Sequence, residues 1–391
     1  MAKTIGVGVI GMGWMGELHS RSYTQVPIRF HEAVGQPKLV VCADEFEHRA
    51  EHAQRLYGFE KRTTDWRAVV DDPSVDVINL TTPNHLHVEI AEAVAQAGKH
   101  LLCEKPVGRS PQETARIARS VEEAGIISHV GFNYRWIPVL QYTKQLIDDG
   151  RIGAITHYRG GFLEGYAANP HAMLTWRFLK DIAGMGVLGD MMSHSLDMAH
   201  MLIGPISEVV AQKETFILDR PQSVAGEGTH FDIREDGPRA QVENEDYVSA
   251  LLRFENGARG TMEACRVVVG EKIALMFQIN GRSGAFHWHL ERQNELEFYE
   301  MDDKDASNDG YRHLLSGPQM PFHSNFNPAE GLQISYDDTK IIEAHQFLEA
   351  VAEGRPSEPG LPEALRVAEV AAAMQRSWES GSWEKVTPIS Q

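Results

Sequence analysis

Residues 4–23 read TIGVGVIGMGWMGELHSRSY: an apolar run, three glycines spaced G-x-G-x-x-G at Gly11, Gly13 and Gly16, then a stretch that can wind into a helix. The order carries more than the glycines do. A strand that turns tightly into a helix leaves the first helical N–H groups and the positive dipole end facing outward, which suits a phosphate. Gly11 permits the tight turn, Gly13 lets a pyrophosphate approach the backbone, and Gly16 lets the helix pack closely on the strand. A dinucleotide is therefore expected along Gly11, Gly13, Trp14, Met15 and Gly16.

The next apolar run, KLVVCAD, ends at Asp44. A carboxylate there can accept both hydroxyls of an adenosine ribose, favouring NAD over NADP, and it can equally cap the helix that follows. After AEHAQRLYGF, an amphipathic stretch with a glycine stop, the alternation continues. VDVINLTTP precedes NHLHVEIAEAVAQAG, HLLCEKP precedes SPQETARIARSVEEAG, and IISHVGF is a last strand. Strands alternating with helices of this length predict a parallel sheet with right-handed crossovers, hence a Rossmann domain over residues 1–133. Ligands of such sheets bind beyond the carboxyl ends of the strands. Thr81, Thr82, Pro83, Asn84 and His87 fall there, as do Glu104 and Lys105, whose exit is fixed by Pro106.

From residue 134 to 391 the pattern changes. A helix is predicted from about Val139 to Asp149, followed by alternating segments such as YVSALLRF and KIALMFQING joined by ENG and GRSG turns. They predict an α+β domain with a large, mostly antiparallel open sheet. Two polar stretches, Asp219 to Glu245 and Asp302 to Ser335, are expected as long loops, either lids and partner contacts or disordered, and the last part is helical. Within WRFLKDIAGMGVLGDMMSHSLDMAHMLIG, a helix is expected to begin near Asp190, with Asp190 and His194 four apart on one face. Three readings stand for this stretch. Asp190 and His194 carry chemistry, or Asp190 is an N-cap above a core histidine, or His194, Asp197 and His200 hold zinc; the spacing of the last three winds well around the helix.

Composition narrows the function. A net charge of −18 over 391 residues disfavours nucleic acid and anionic lipid as partners. No apolar run is long enough to span a membrane, and no secretory h-region opens the chain. Cys42, Cys103 and Cys265 stand apart in no ligand spacing, which is expected of reduced thiols in a cytoplasmic protein.

Four motifs in order, G-x-G-x-x-G, TPNHLH, EKP and D-x-x-x-H, resemble the Gfo/Idh/MocA oxidoreductase family over essentially the whole chain. TPNHLH, FNYR, WRF and TKIIEAH are similar to its levoglucosan dehydrogenase-type sugar 3-dehydrogenases. The resemblance implies NAD as cofactor, no metal, and a carbohydrate or polyol substrate oxidised at a secondary hydroxyl. It implies Lys105, Asp190 and His194 as catalytic residues. It adds Asn133, Trp176 and Arg177 at the cofactor, and Tyr134, Arg135 and Tyr336 at the substrate. It also implies a homo-oligomer, tetramer or dimer. One departure bears on the substrate: AGMGVLGDMM places Met185 and Met192 where many members carry glycine. The rival readings are a myo-inositol dehydrogenase of the same family and a non-catalytic sensor that binds the cofactor.

Overall fold

The computed structural model describes residues 2–222, 232–301 and 309–389. They form two compact units, one of the residues up to Trp136 with Ile334–Arg366, the other of Ile137–Gln333 with Val367–Pro388.

The first unit opens with strand β1 (Lys3–Ile10), helix α1 (Trp14–Arg29), β2 (Gly35–Ala43) and α2 (Glu47–Tyr57). There follow β3 (Lys61–Thr63), α3 (Arg67–Val70), β4 (Val77–Leu80), α4 (His87–Gln96), β5 (His100–Cys103), α5 (Pro111–Ala124) and β6 (Ser128–Val130). The six strands are parallel in the order β3-β2-β1-β4-β5-β6, so the winding reverses between β1 and β4, beside the glycine loop. Ile5, Val7, Val9, Ile78, Leu80, Leu101 and Leu102 are fully buried because helices cover both faces, and the polar Asn79 of β4, equally buried, accepts from the Tyr23 hydroxyl at 3.0 Å. β3 and α3 carry no apolar period, and the sequence reading did not include them.

The second unit contains α6 (Pro138–Asp148), β7 (Ile155–Leu163), α7 (Lys180–Ala183), α8 (Val187–Asp190), α9 (Met192–Leu202) and β8 (Ile206–Glu214). β9 (Asp219–Pro221), β10 (Arg239–Gln241), β11 (Tyr247–Phe254), β12 (Arg259–Cys265), β13 (Ala274–Gly281), β14 (Gly284–His289), β15 (Glu295–Glu300) and β16 (Arg312–Leu315) follow. Nine strands, with β17 (Glu384–Lys385) at one edge, form a sheet ordered β16-β15-β14-β13-β7-β12-β11-β8-β17. Every pair is antiparallel except β7 with β12. Helix α9 packs on β7 and β12, and residues of β11 and β13 alternate buried and exposed. That alternation is the period-two signal the sequence carried.

Three expectations need correction. The two polar stretches are not wholly loops: β9 pairs with β10 in a two-stranded sheet of their own, and β16 pairs with β15 at the edge of the large sheet, strands of three or four residues too short to show a period. Residues 223–231 and 302–308 of those stretches lie outside the described residues. The C-terminal helices α10 (Tyr336–Glu353) and α11 (Leu361–Ser380) do not all belong to the second unit, because α10 and the start of α11 fold with the first. The division into 1–133 and 134–391 therefore gives way to an interleaved one. Stacking of Phe30 on His345 at 3.9 Å and the Arg21–Asp337 pair at 2.6 Å fix α10 along α1. Finally, the helix expected to start near Asp190 is broken at Met191, so Asp190 ends α8 and His194 lies in the first turn of α9. No helix among the described residues is long and apolar enough to cross a membrane.

Candidate functional site

In the first unit the glycine loop has the shape its sequence requires. Gly11 has φ +96°, and a Cβ on Gly16 would lie 1.8 Å from the Gly11 carbonyl oxygen. Helix α1 therefore packs against the loop as only glycine allows. Open space surrounds the Gly13 Cα, and no side chain caps the N-terminus of α1. This is the cradle a pyrophosphate needs, so the residues present fit a dinucleotide. Trp14, largely exposed, stacks on Tyr336 with ring centroids 5.9 Å apart, and Tyr134 meets Tyr336 edge-on at the same separation. Asn133 donates to Thr339 Oγ1 at 2.9 Å and fastens this aromatic group to α10. Burial, with Glu104 nearby, raises the pKa of the Tyr336 phenol, keeping it neutral.

Asp44 is held by two backbone donors, while the N-cap of α2 is Phe46 and no side chain caps that helix. Its Oδ1 accepts from Phe46 N–H at 2.9 Å, ahead of α2, and its Oδ2 accepts from Met12 N–H at 2.7 Å, inside the glycine loop. The carboxylate is thus held at the carboxyl end of β2 with lone pairs to spare for ribose hydroxyls.

Thr81 Oγ1 donates to Gly11 O at 2.6 Å, tying the end of β4 to the glycine loop. Asn84 is buried in a 3-10 turn and does not cap α4. His87 is also buried, with Nδ1 3.1 Å from Val107 O and Nε2 2.9 Å from Thr82 O. Burial lowers its pKa, although both carbonyls oppose the shift. With both ring nitrogens against backbone, His87 pins the TPNHLH turn to the loop after Lys105.

Glu104 ends its strand inside the protein. His19 Nε2 lies 2.7 Å and Lys340 Nζ 2.5 Å from Glu104 Oε1, and Lys340 Nζ also donates to Glu343 Oε1 at 2.8 Å. Burial alone would push the Glu104 carboxyl up, but Lys340 and His19 hold it well below the usual range. Burial and Lys340 lower the pKa of His19 to about 4. Burial and the charge of Glu104 raise that of Glu343 to about 7, and its Oε2 finds no partner among the described residues. His19, Glu104 and Glu343 are spaced as cation ligands, but the Lys340 ammonium fills that place. The zinc reading of His194, Asp197 and His200 finds no such grouping among the described residues. Next to Glu104, Lys105 is partly exposed, and its peptide bond to Pro106 is cis.

In the second unit Asp190 lies 3.7 Å from Arg177 Nε, and the Arg177 guanidinium lies 4.4 Å over the Trp176 ring. His194 is buried with its ring 6.0 Å from Phe162 of β7. The WRF turn is held from behind. Asn244 Nδ2 donates to Arg177 O at 2.9 Å, and the buried Arg266 donates to Asn244 Oδ1 at 2.9 Å and to Asp246 Oδ1 at 2.7 Å. The guanidiniums of Arg220 and Arg266 lie 4.5 and 4.3 Å over Phe178.

Comparison with known proteins places this geometry. Residues 5–132 match the oxidoreductase family with NAD-binding Rossmann fold, and residues 140–287 match the GFO/IDH/MocA C-terminal domain. Levoglucosan dehydrogenase of Pseudarthrobacter phenanthrenivorans is 39% identical over 389 residues, 99% of this chain and 100% of that one. The chain belongs to the Gfo/Idh/MocA oxidoreductase family. The solved structure of levoglucosan dehydrogenase in complex with NADH and levoglucosan superposes with a TM-score of 0.92 at 39% identity, covering 98% of this chain and all of that one. The scyllo-inositol 2-dehydrogenase (NAD(+)) of Bacillus subtilis is 30% identical over 267 residues, 68% of each chain. The protein is therefore an NAD-binding oxidoreductase.

The sequence pointed separately to the glycine loop, Asp44, Asp190 and Arg177, and the structure brings the last two within 3.7 Å of each other. Sequence reading missed His19, Lys340 and Glu343 around Glu104, and Asn244 with Arg266 behind the WRF turn. A signal for the first group existed. Lys340 and Glu343 sit three apart in TKIIEAHQFL, where Thr339 to Ala344 is buried all round, so those charges must face a partner inside.

Proposed function

We propose that the chain oxidises a secondary hydroxyl, at C3, of a sugar, anhydrosugar or glycoside. The likeness over the full length to levoglucosan dehydrogenase carries this reading. Bound NAD would accept the hydride from the carbinol carbon. The protein's own residues handle the proton and the charge. A neutral imidazole accepts a hydroxyl proton near neutral pH, a role that suits His194. The ammonium of Lys105, at the carboxyl end of β5, stabilises the developing alkoxide from a fixed position. Asp190, paired with Arg177, orients and charges its surroundings. Gly11 to Gly16, Asp44, Thr81 to Asn84 and Asn133 hold the dinucleotide, with Trp176 and Arg177, while His87 and Glu104 support from behind. Tyr134, Arg135 and Tyr336 serve the sugar. The exposed Leu251 and a cavity of about 330 Å³ between Tyr158, Leu251 and Trp383 on the second unit's sheet support a homo-oligomer, dimer or tetramer. Three free, buried cysteines support a reducing, cytoplasmic setting.

Lys105→Ala and His194→Ala test the assignment. Each should lower turnover by about 10²–10⁴-fold, the usual share of a proton-transfer group, with NADH binding unchanged by tryptophan fluorescence. Near-normal turnover in both would overturn it.

A further inference from the structure

The charged cluster behind Glu104 has no part in the chemistry above, yet it is built at a cost. Lys340, Glu343 and His19 are completely buried, and a buried ion pair is commonly no better for stability than apolar side chains of the same shape. What it does is visible in its direction. Lys340 Nζ grips Glu104 Oε1 from one side and Glu343 Oε1 from the other, while His19 takes the same Glu104 oxygen at 2.7 Å. The second oxygen, Glu104 Oε2, accepts from the backbone N–H of Lys105 at 3.2 Å. The carboxylate thus folds back over the very peptide that joins Glu104 to Lys105. Gly131 completes the seat, since a Cβ there would lie 2.6 Å from Glu104 Oε1.

We propose that Lys340 is a positioning residue: its buried ammonium, anchored on α10 by Glu343, fixes the Glu104 carboxylate, and the carboxylate fixes the backbone from which Lys105 reaches the reacting oxygen. This rests on the reading of Lys105 as a catalytic residue. The anchor is a rigid one. Helix α10 begins with a capping box, in which Ser335 Oγ accepts from Asp338 N–H while the Asp338 carboxylate accepts from Ser335 N–H. Lys340 follows within the next turn, so its stem leaves a helix that cannot fray there. A lysine suits the task because one compact ammonium offers three donors to acceptors in different directions. Here two of them are carboxylates from different elements of the chain. Loss of that ammonium frees the Glu104 carboxylate to turn, and a misplacement of about 1 Å at a reacting group costs on the order of 10²-fold in rate.

Lys340→Met and the double variant Glu104→Gln/Lys340→Met separate positioning from stability. In Lys340→Met, kcat should fall about 10- to 100-fold while KM for the sugar and the NADH dissociation constant stay within about threefold. The double variant removes one of the two carboxylate charges that Lys340→Met strands, so its melting temperature should rise toward the parent's, while kcat stays low because the carboxylate clamp is gone. Normal kcat in Lys340→Met, or recovery of kcat together with stability in the double variant, would overturn the proposal and leave Lys340 a structural residue. Should Lys340→Met fail to fold, the double variant decides alone by the same kcat. Lys105→Ala, measured alongside, keeps the two readings apart. Near-normal turnover there removes the ground of the proposal, whereas collapsed turnover with normal Lys340→Met refutes the positioning role only.

Discussion

Asp44 holds two backbone donors and, in the function proposed above, selects the cofactor; substitution separates the two. Its carboxylate accepts Met12 N–H at 2.7 Å and Phe46 N–H at 2.9 Å, and Met12 is 1% exposed. Asp44→Ala strands the Met12 donor in a place that water does not reach. Hydrogen bonds to a charged acceptor contribute about 1.5–3 kcal/mol each, and Asp44 is only half buried, so the lower end applies to both. Their joint loss is about 3 kcal/mol, a drop of about 6–12 °C for a folding unit of this size. Asp44→Asn behaves differently. Its single carbonyl oxygen can take one N–H, and its amide must then face the other, so about half the loss is expected. Both variants lose the negative charge that disfavours a 2′-phosphate, so both should narrow the ratio of kcat/KM with NAD to that with NADP. Scanning calorimetry and initial rates with each cofactor read the two effects separately. An Asp44→Ala protein with the parent melting temperature and the parent cofactor ratio would refute the reasoning.

Gly131→Ala tests the seat of Glu104. Its Cβ would stand 2.6–2.8 Å from the carboxylate atoms, which Lys340 and His19 prevent from moving away. Lower melting temperature and turnover reduced by at least about tenfold are expected, and a variant matching the parent in both would contradict this packing. His129, like His19, contributes to the loss of stability in acid. Burial, with Lys340 and Arg135 nearby, lowers the pKa of His129 from the ordinary imidazole value of about 6.5 to about 3. Below pH 6.5 the unfolded chain therefore binds a proton that the folded one refuses, and stability falls as pH falls, by about 1.4 kcal/mol per unit until the folded pKa is reached. Melting curves between pH 7 and 5 should show the loss, and His129→Gln should shrink it; an equal pH slope in the variant would count against His129.

Much of the first unit was legible because its signals are local. An apolar run, three glycines and a helix lie within twenty residues, and each βα unit repeats the switch from a buried strand to an amphipathic helix. β3 escaped because two exposed residues and a half-buried one, KRT, have no period to read. The home of α10 escaped for another reason. Periodicity shows that a helix has an apolar face but not which element covers it, and α10 packs against α1, far away in sequence. The charge pair Lys340–Glu343 follows the same logic, since its partner Glu104 lies 236 positions from Lys340. Asp190 and His194 show the opposite failure. Spacing by four implies a shared face only in an unbroken helix, and Met191, with φ −108° and ψ −51°, interrupts it.

Levoglucosan carrying deuterium at C3, incubated with the protein and NAD, tests the proposed reaction at the bond it breaks. Absorbance at 340 nm, mass analysis of the reduced cofactor and NMR of the product give the answer in one sample. Oxidation at C3 requires NAD to be reduced, the deuterium to appear on the reduced nicotinamide, and the product to be a 3-ketone. Deuterium retained in a product oxidised at another carbon would contradict the assignment, as would NAD reduction by inositols with none by levoglucosan or any glucoside.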